Sequence, residues 1–198
     1  MSSLSDAVLD LFYQTGAYLR GHFRLTSGLH SPEYLQCALV LQYPEHAGRL
    51  GARLGEALAG LLGPEAKVEV VGSPALGGII IGHEVARALG ARCVFAERDA
   101  SGKMTLRRGF SVTPGERAVV IEDVVTTGGS TREVVEVFRA AGAEVLAAAS
   151  IIDRSGGQAG VGVPRVSLAT LHVVTYPPEE CPLCQEGVPV TKPGSRKT

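Results

Sequence analysis

Apolar residues along the first third of the chain follow a helical period, interrupted by one polar stretch. Their spacing predicts a first helix over Leu4–Tyr13 and a longer one over Pro44–Leu62, which Gly63 and Pro64 terminate. The segment Gly21–Gln36, between the two helices, is polar and contains glycine, and no regular element is assigned to it.

Beyond Pro64 the chain alternates between short apolar runs and amphipathic helical stretches. The apolar runs predict strands at Val68–Val71, Arg92–Ala96, Ala118–Ile121, Val145–Ile152 and Leu168–Val174. The amphipathic stretches predict helices at Gly77–Leu89 and Thr131–Ala141. Strands so uniformly apolar are buried on both faces, as in parallel sheets covered by helices. The pattern therefore predicts a doubly wound α/β sheet, which binds ligands at the carboxyl ends of its strands.

Composition narrows the class of function. A chain of 198 residues is long enough for one domain with its own core. Its formal net charge of -1 argues against a protein that neutralises nucleic-acid phosphates, and no apolar run approaches the ~20 residues of a membrane span. The N-terminal residues include Asp6 and Asp10 and lack the basic start of a signal peptide. We therefore expect a cytoplasmic enzyme or binding domain, with neither nucleic acid nor membrane as a partner.

Two of the four cysteines, Cys181 and Cys184, form the motif CPLC. A single CxxC supplies half of a tetrahedral zinc site, and no HxxxH segment is present to complete it. Structural or incidental use is therefore favoured over a redox or metal-binding role, and no metal site is assigned to the protein's own side chains. Cys37 and Cys93 lie in apolar surroundings, where a buried thiol is expected.

The stretch with the clearest chemistry is Thr126–Ser130, with the sequence TTGGS, between a predicted strand and a predicted helix. Consecutive glycines let several backbone N–H groups point the same way at a helix N-terminus, and the hydroxyls add donors, so the loop is suited to phosphate. It is neither a Walker A loop nor a GxGxxG loop. The alternative is a capping box from Ser130 to Glu133, which leaves the Thr-Thr-Gly-Gly run unexplained.

Two carboxylates, Glu122 and Asp123, stand shortly before this loop. Because they repel a phosphate, they must face another part of the ligand. The vicinal diol of a sugar donates hydrogen bonds to a carboxylate, and a cation that bridges to a second anion is the alternative. A phosphorylated ribose carries a phosphate at one end and a diol a side chain's reach away, so it suits both halves of the stretch.

The pattern VVIEDVVTTGGS, at 119–130, closely resembles the ribose-phosphate-pyrophosphate (PRPP) signature of type I phosphoribosyltransferases. The resemblance implies an α/β type I phosphoribosyltransferase fold, with a mainly parallel central sheet, flanking helices and a small N-terminal hood. The implied reaction transfers ribosyl C1 from pyrophosphate to a nitrogenous base, with Mg²⁺ carried by PRPP. Glu122 and Asp123 would face the ribose hydroxyls and the loop would bind the 5-phosphate. The implied PRPP-binding residues of this stretch are Glu122, Asp123, Val124, Val125, Thr126, Thr127, Gly128, Gly129 and Ser130.

Other segments are similar to orotate phosphoribosyltransferases. FRLTSGLHSPEYL, at 23–35, looks like the N-terminal signature of that family, and VGSPALGG, at 71–78, matches its pyrophosphate loop. Arg154, at the end of IIDR, matches an arginine that contacts orotate, and a guanidinium fork suits the carboxylate that distinguishes orotate from uracil. Without the resemblance, Asp153 and Arg154 would be interpreted as a solvated turn pair. The implied orotate-binding residues are Thr126, Arg154, Tyr34 and Leu35.

The segment 97–109 contains several cations and matches a mobile loop that, in the family, closes over the site of the neighbouring subunit. Arg98 and Lys103 match its pyrophosphate-binding positions best, and Lys103 joins Glu122 and Asp123 as a catalytic residue that the resemblance implies. A homodimer follows from this arrangement. For Arg107 and Arg108 the alternative is a solvated hairpin with surface charge.

Some positions depart from the family. It often has lysine where this chain has Thr26, Gly77 and Asp99, and histidine near Thr105. Because these cations are missing, the resemblance implies weaker binding of pyrophosphate. Two other functions stay open: a purine phosphoribosyltransferase, which lacks the orotate-type N-terminal segment, and a PRPP-sensing regulator, which needs a nucleic-acid surface.

Taken over nearly the whole chain, the resemblance implies an enzyme of pyrimidine synthesis that converts orotate and PRPP to orotidine 5-phosphate and pyrophosphate. Within a single domain we expect an N-terminal hood and helix over 1–62, an α/β core over 63–176 and a C-terminal wrap over 177–198.

Overall fold

The computed structural model describes residues 4–25 and 27–193. Both helices predicted in the first third of the chain are present. The second begins and ends where predicted, because Pro44 occupies its first turn and Gly63 ends it. A 3-10 turn, Pro178–Glu180, precedes the last helix. In chain order the elements are α1 Leu4–Gln14, β1 Tyr18–Arg24, β2 His30–Leu35, α2 Cys37–Leu41, α3 Pro44–Leu62, β3 Val70–Pro74, α4 Gly78–Leu89, β4 Arg92–Arg98, β5 Met104–Leu106, β6 Arg117–Val125, α5 Gly129–Ala140, β7 Glu144–Asp153, β8 Arg165–Thr170 and α6 Pro182–Gln185.

A six-stranded sheet forms the centre of the molecule, in the order β5-β4-β3-β6-β7-β8, and only the edge strand β5 is antiparallel to its neighbour. Alternate residues of β6 point to opposite faces. Val119 and Ile121 pack in the core that includes α1, α3 and α4, whereas Ala118 and Val120 pack in the core that includes α5. The predicted mainly parallel sheet, covered on both faces, is confirmed.

The order of the strands reverses between β3 and β6, since β3 leads to β4 on one side and has β6 on the other. β6 pairs with β3 as far as Val120, opposite Gly72, but continues beside β7 until Val125 lies opposite Asp153. The carboxyl half of β6 therefore borders a crevice at the switch point, the place where open α/β sheets bind ligands.

β3 was predicted at Val68–Val71 but lies at Val70–Pro74, and the largest departures from the predicted strand bounds are in β6 and β8. β6 runs to Val125 instead of Ile121, because pairing with β7 holds the backbone extended although the side chains of Glu122 and Asp123 are acidic. The last strand was predicted at Leu168–Val174 but lies at Arg165–Thr170, where β7 supplies its hydrogen-bond partners.

The segment Gly21–Gln36 contains much of a two-stranded antiparallel hairpin, β1 and β2, which the sequence did not predict. A bulge in β1 turns two consecutive side chains, His22 and Phe23, inward. The C-terminal segment borders this hairpin, with Thr191 bridged to Phe23 and Tyr176 bridged to His30. Within 4–25 and 27–193, no helix combines the length and apolar character needed to cross a membrane.

Candidate active site

A cleft of about 510 Å³ opens where β6 and β7 end, and the hairpin and the C-terminal segment complete its walls. It brings together every predicted substrate-binding residue except Lys103. The predicted residues that line it are Glu122, Asp123, Val124, Val125, Thr126, Thr127, Gly128, Gly129, Ser130, Arg98, Tyr34, Leu35 and Arg154.

The loop predicted to bind phosphate leads directly into α5. Gly128 precedes the helix in the left-handed conformation, at φ 77°, and a Cβ on it would lie 2.9 Å from Cγ1 of Val161. The capping-box alternative is wrong, because Ser130 is the second residue of the helix and the helix has no side-chain cap. The first N–H groups of α5 therefore lack intrahelical partners and, with the helix dipole, are available to an anion at the cleft.

The two adjacent carboxyl groups have different environments. Glu122 is buried, and its Oε1 accepts a hydrogen bond from the Asp123 backbone N–H at 3.2 Å. Burial, and next the charge of Asp123, raise the pKa of Glu122 well above its ordinary range. Asp123 is half-buried at the cleft, where its Oδ1 accepts a hydrogen bond from the Val124 N–H at 2.8 Å. The pair thus combines a buried acid, whose charged form is disfavoured, with a half-buried acid at the cleft.

The predicted pyrophosphate loop connects β3 to α4 and lies against Asp123. A Cβ on Gly77 would be 2.6 Å from Oδ2 of that aspartate, so the backbone approaches the carboxyl group too closely for a larger side chain in this arrangement. A lysine at this position, which the family often has, would require the Asp123 carboxyl group to move. Thr26, the first of the departures, lies outside the described residues.

Arg154 is positioned by the pairing of β7 with β6, since its backbone N–H donates to the carbonyl of Val125 at 2.8 Å. Asp153 is buried and forms an ion pair with Arg165 at 2.9 Å, so it does not neutralise its neighbour. Nε of Arg154 is buried and has no hydrogen-bond partner in the described part of the chain. Burial lowers the pKa of this guanidinium from its usual value, although an arginine stays charged at neutral pH. The pKa of Tyr34, in the same cleft, is raised by burial and by Asp123.

Two cations of the cleft, Arg24 and Lys192, were not among the predicted site residues. Arg24 lies in the segment that resembles the N-terminal signature, but the signature specifies no residue type at its position. No sequence signal pointed to Lys192, because it reaches the cleft only through the pairing of Thr191 with the hairpin. Arg98, which was predicted, forms an ion pair with Glu133 at 2.9 Å.

The cation-rich segment 97–109 forms the β4–β5 hairpin. Oδ1 of Asp99 accepts hydrogen bonds from the backbone N–H groups of Ser101, at 2.8 Å, and Lys103, at 3.0 Å, which gives the aspartate a role in the turn. Arg107 and Arg108 form ion pairs with Glu97 at 3.5 and 2.5 Å, as the surface-hairpin alternative expects. Lys103 is exposed and lies outside the cleft of its own chain.

One group of potential metal ligands converges in the described residues, outside the cleft lining. It consists of His22, His30, Cys181 and Cys184, whose ligand atoms all lie within 4.8 Å of one another. The expectation that CPLC has no histidine partners considered only the HxxxH spacing, and the fold supplies two histidines at a different spacing.

Known proteins share both the sequence and the fold of this chain. The family model described as "Phosphoribosyl transferase domain" matches residues 46–162, more than half of the chain. The orotate phosphoribosyltransferase of Pelotomaculum thermopropionicum is 54% identical over 97% of this chain and 98% of its own, and that of Heliobacterium modesticaldum is 54% identical over 96% and 98%. The solved orotate phosphoribosyltransferase from Aeropyrum pernix has a TM-score of 0.64 and 28% identity, covering 83% of this chain and 93% of that one. The chain therefore belongs to the phosphoribosyltransferase family and, within it, to the orotate phosphoribosyltransferases.

Proposed function

We propose that the protein transfers the 5-phosphoribosyl group from PRPP to orotate, giving orotidine 5-phosphate and pyrophosphate. The bond between ribosyl C1 and the pyrophosphate oxygen breaks, a bond from C1 to a ring nitrogen of orotate forms, and the proton of that nitrogen is released. The observation that carries the choice of base is Arg154, whose buried Nε has no partner and which lines the same cleft as the phosphate loop. A carboxylate on the base would supply the acceptor that the guanidinium lacks.

In this proposal the chain orients both substrates and stabilises charge. The N–H groups at the start of α5 bind the 5-phosphate and fix the position of the ribose. As pyrophosphate leaves, positive charge develops at C1, and the Asp123 carboxylate offsets it from the cleft wall. Glu122, whose burial favours the protonated form, donates a hydrogen bond to a ribose hydroxyl. Alignment of base and sugar contributes on the order of 7–11 kcal/mol to lowering the barrier.

Magnesium carried by PRPP fits the donor set of the cleft. Mg²⁺ takes oxygen ligands, commonly one or two carboxylates together with substrate phosphates. Asp123 offers such a carboxylate beside Gly77 of the predicted pyrophosphate loop, and it is the residue that would hold the ion. The bound ion would neutralise charge on the departing pyrophosphate.

We also propose that the protein works as a homodimer in which the turn of the segment 97–109, with Lys103, serves the partner's site, while Arg98 of the same segment lines the cleft of its own chain. Lys103 supports this arrangement, because it is exposed near the turn of the β4–β5 hairpin and lies outside the cleft of its own chain. A lysine in this place can reach pyrophosphate only from a neighbouring subunit or after a rearrangement of the hairpin.

Substrate specificity tests the proposed reaction. The purified protein, incubated with PRPP, Mg²⁺ and one base at a time, is expected to consume orotate, followed by its ultraviolet absorbance, and to leave uracil, adenine and hypoxanthine unchanged. Uracil is the matched control, since it lacks the carboxylate that Arg154 would bind. Turnover of a purine in place of orotate would reject the proposal.

The roles of individual residues can be separated by steady-state kinetics. Arg154→Ala is expected to raise the KM for orotate by about 10- to 100-fold, because the substrate loses a charged hydrogen bond. The KM for PRPP should change little. Asp123→Asn should instead lower kcat, because the charge it removes is needed most as pyrophosphate leaves. Arg132→Ala, which changes an exposed arginine of α5 outside the cleft, is the control and should match the unmodified protein. Equal effects of Arg154→Ala on both substrates would contradict the assignment.

A further inference from the structure

Side chains from two distant parts of the chain meet beside the N-terminal hairpin, away from the cleft. They are His22 and His30 of the hairpin and Cys181 and Cys184 of the CPLC motif, here called the histidine–cysteine cluster. We propose that this cluster binds one zinc ion, which fastens the C-terminal segment to the hairpin. The proposal does not depend on the reaction proposed above, because metal content is measured without substrates.

The distances within the cluster approach the edges of a tetrahedral zinc site, with those from His22 to sulfur matching and those from His30 shorter. Bonds of about 2.0–2.1 Å to nitrogen and about 2.3 Å to sulfur give edges of about 3.5–3.6 Å between nitrogen and sulfur, and about 3.3 Å between two nitrogens. Nε2 of His22 lies 3.5 Å from Sγ of Cys181 and 3.6 Å from Sγ of Cys184. Nδ1 of His30 lies 3.2 Å from Sγ of Cys184 and 2.8 Å from Nε2 of His22. Separation of the two rings by about half an ångström would complete the tetrahedron.

A second contact orients His22 as a metal ligand. Its Nδ1 lies 2.7 Å from the carbonyl oxygen of Val188, and since a carbonyl only accepts, this nitrogen must carry the proton. Nε2, which points into the cluster, is then free of a proton in the neutral ring. Metal-binding histidines in proteins commonly donate their other ring N–H in this way, which fixes the tautomer and the orientation of the ring.

The local backbone builds the cluster from both sides. The bulge in β1 turns His22 inward, and a hydrogen bond of 3.1 Å from the Cys184 N–H to the Cys181 carbonyl bends the CPLC motif into a turn. Cys181, His22 and His30 are 0%, 3% and 6% exposed, so three of the four ligands are shielded from water. Two thiolates would neutralise the charge of Zn²⁺, and four protein ligands leave no position open for a substrate, as in structural zinc sites.

The zinc ion would hold a segment that reaches the cleft. Directly beyond the cluster, the Thr191 N–H donates to the His22 carbonyl and the Arg24 N–H donates to the Thr191 carbonyl, both at 2.8 Å. Lys192, the next residue, lines the cleft. The proposed site therefore connects the stability of the C-terminal segment to the position of a cation in the cleft.

Metal analysis of the full chain tests the proposal. Protein purified without a metal-affinity step and kept under reducing conditions is expected to contain one zinc ion per chain by elemental mass spectrometry. Replacement with Co²⁺ should give the visible bands of a tetrahedral site and a sulfur-to-cobalt charge-transfer band. Removal of the metal by a strong chelator should lower the Tm, and addition of zinc should restore it. Protein that neither contains zinc nor binds it stoichiometrically when zinc is added would overturn the proposal.

Variants assign the ligands. Cys184→Ser, at an exposed side chain, should lose the zinc while the circular dichroism of the fold is retained, and Cys184→His should regain it because it restores a ligand. Cys93→Ser is the matched control, a cysteine outside the cluster, and should keep one zinc ion per chain. Full zinc content in Cys184→Ser would reject the site. If Cys184→Ser does not fold, the cobalt spectrum of the unmodified chain tests whether the metal is bound tetrahedrally by sulfur ligands.

Discussion

At the scale of single residues, burial gives two neighbouring acids different chemistry. Glu122 and Asp123, adjacent at the end of β6, both line the cleft but are exposed to different degrees. Glu122 is buried, and the resulting loss of solvation raises its pKa, whereas Asp123 is only half-buried. From the sequence, both were predicted to be carboxylates that face the ribose, because the identities of two adjacent residues do not show which side chain is buried.

The raised pKa of Glu122 makes a prediction about stability against pH. Above the ordinary glutamate value of 4.5, the unfolded chain loses the proton while the folded chain keeps it, so the free energy of unfolding falls as pH rises towards the folded pKa. Glu122→Gln removes this titration, and its amide oxygen can still accept from the Asp123 N–H. In this pH window, the free energy of unfolding of the substituted protein should rise relative to that of the unmodified protein by about 1.4 kcal/mol for each pH unit. Denaturant unfolding without ligands measures this difference.

The control for this measurement is Glu136→Gln, which changes an exposed glutamate of α5. Its free energy of unfolding should follow that of the unmodified protein at every pH. If Glu122→Gln also runs parallel to the unmodified protein, then Glu122 ionises in the folded chain as it does in the unfolded one, and its assignment as a neutral donor is wrong.

At the scale of elements, the unit formed by β6, the TTGGS loop and α5 was predictable because its chemistry lies in one continuous stretch. The apolar run, the two glycines and the amphipathic helix each carry a local signal. Arg154 is different, because it reaches the cleft only through the pairing of β7 with β6, and only resemblance to a family identified it in advance. The hairpin of β1 and β2 was missed because its residues show no clean alternation.

The phosphate loop depends on Gly128, and its replacement should weaken both binding and stability. Gly128 has φ 77°, and the Cβ of an alanine would lie 2.9 Å from Cγ1 of Val161. We expect Gly128→Ala to destabilise the fold by about 1–3 kcal/mol, the cost of a strained left-handed residue. We also expect the KM for PRPP to rise at least tenfold, because displaced N–H groups no longer converge on the 5-phosphate.

A nearby glycine provides the control. Gly160 lies near the same loop, but a Cβ added there meets nothing within 4 Å. Gly160→Ala should therefore leave both the Tm and the KM for PRPP close to those of the unmodified protein. An unchanged KM for PRPP in Gly128→Ala would show that the loop does not hold the phosphate.

At the scale of the whole molecule, the arrangements least visible in the sequence join residues that are far apart in the chain. Cys181 and His22 are 159 positions apart, and a bulge, a helical turn and a paired C-terminal segment are all needed to bring them together. Lys192 enters the cleft through the same pairing. Spacing rules such as HxxxH describe single helices, so they cannot find ligands that two separate segments supply.

The division of one active site between two subunits is the last property of the whole molecule that can be tested. If the segment 97–109 serves the partner's cleft, then Lys103 and Asp123 of one chain belong to different sites. A chain with Lys103→Ala and a chain with Asp123→Asn should each be nearly inactive alone. After dissociation, mixing in equal amounts and reassociation, half of the dimers carry one site free of both substitutions, so activity should return to about a quarter of the unmodified level.

Each variant taken through the same procedure alone is the control. Activity that stays at the mean of the two separate variants would instead show that the hairpin acts on its own chain, through closure over the cleft beside Arg98.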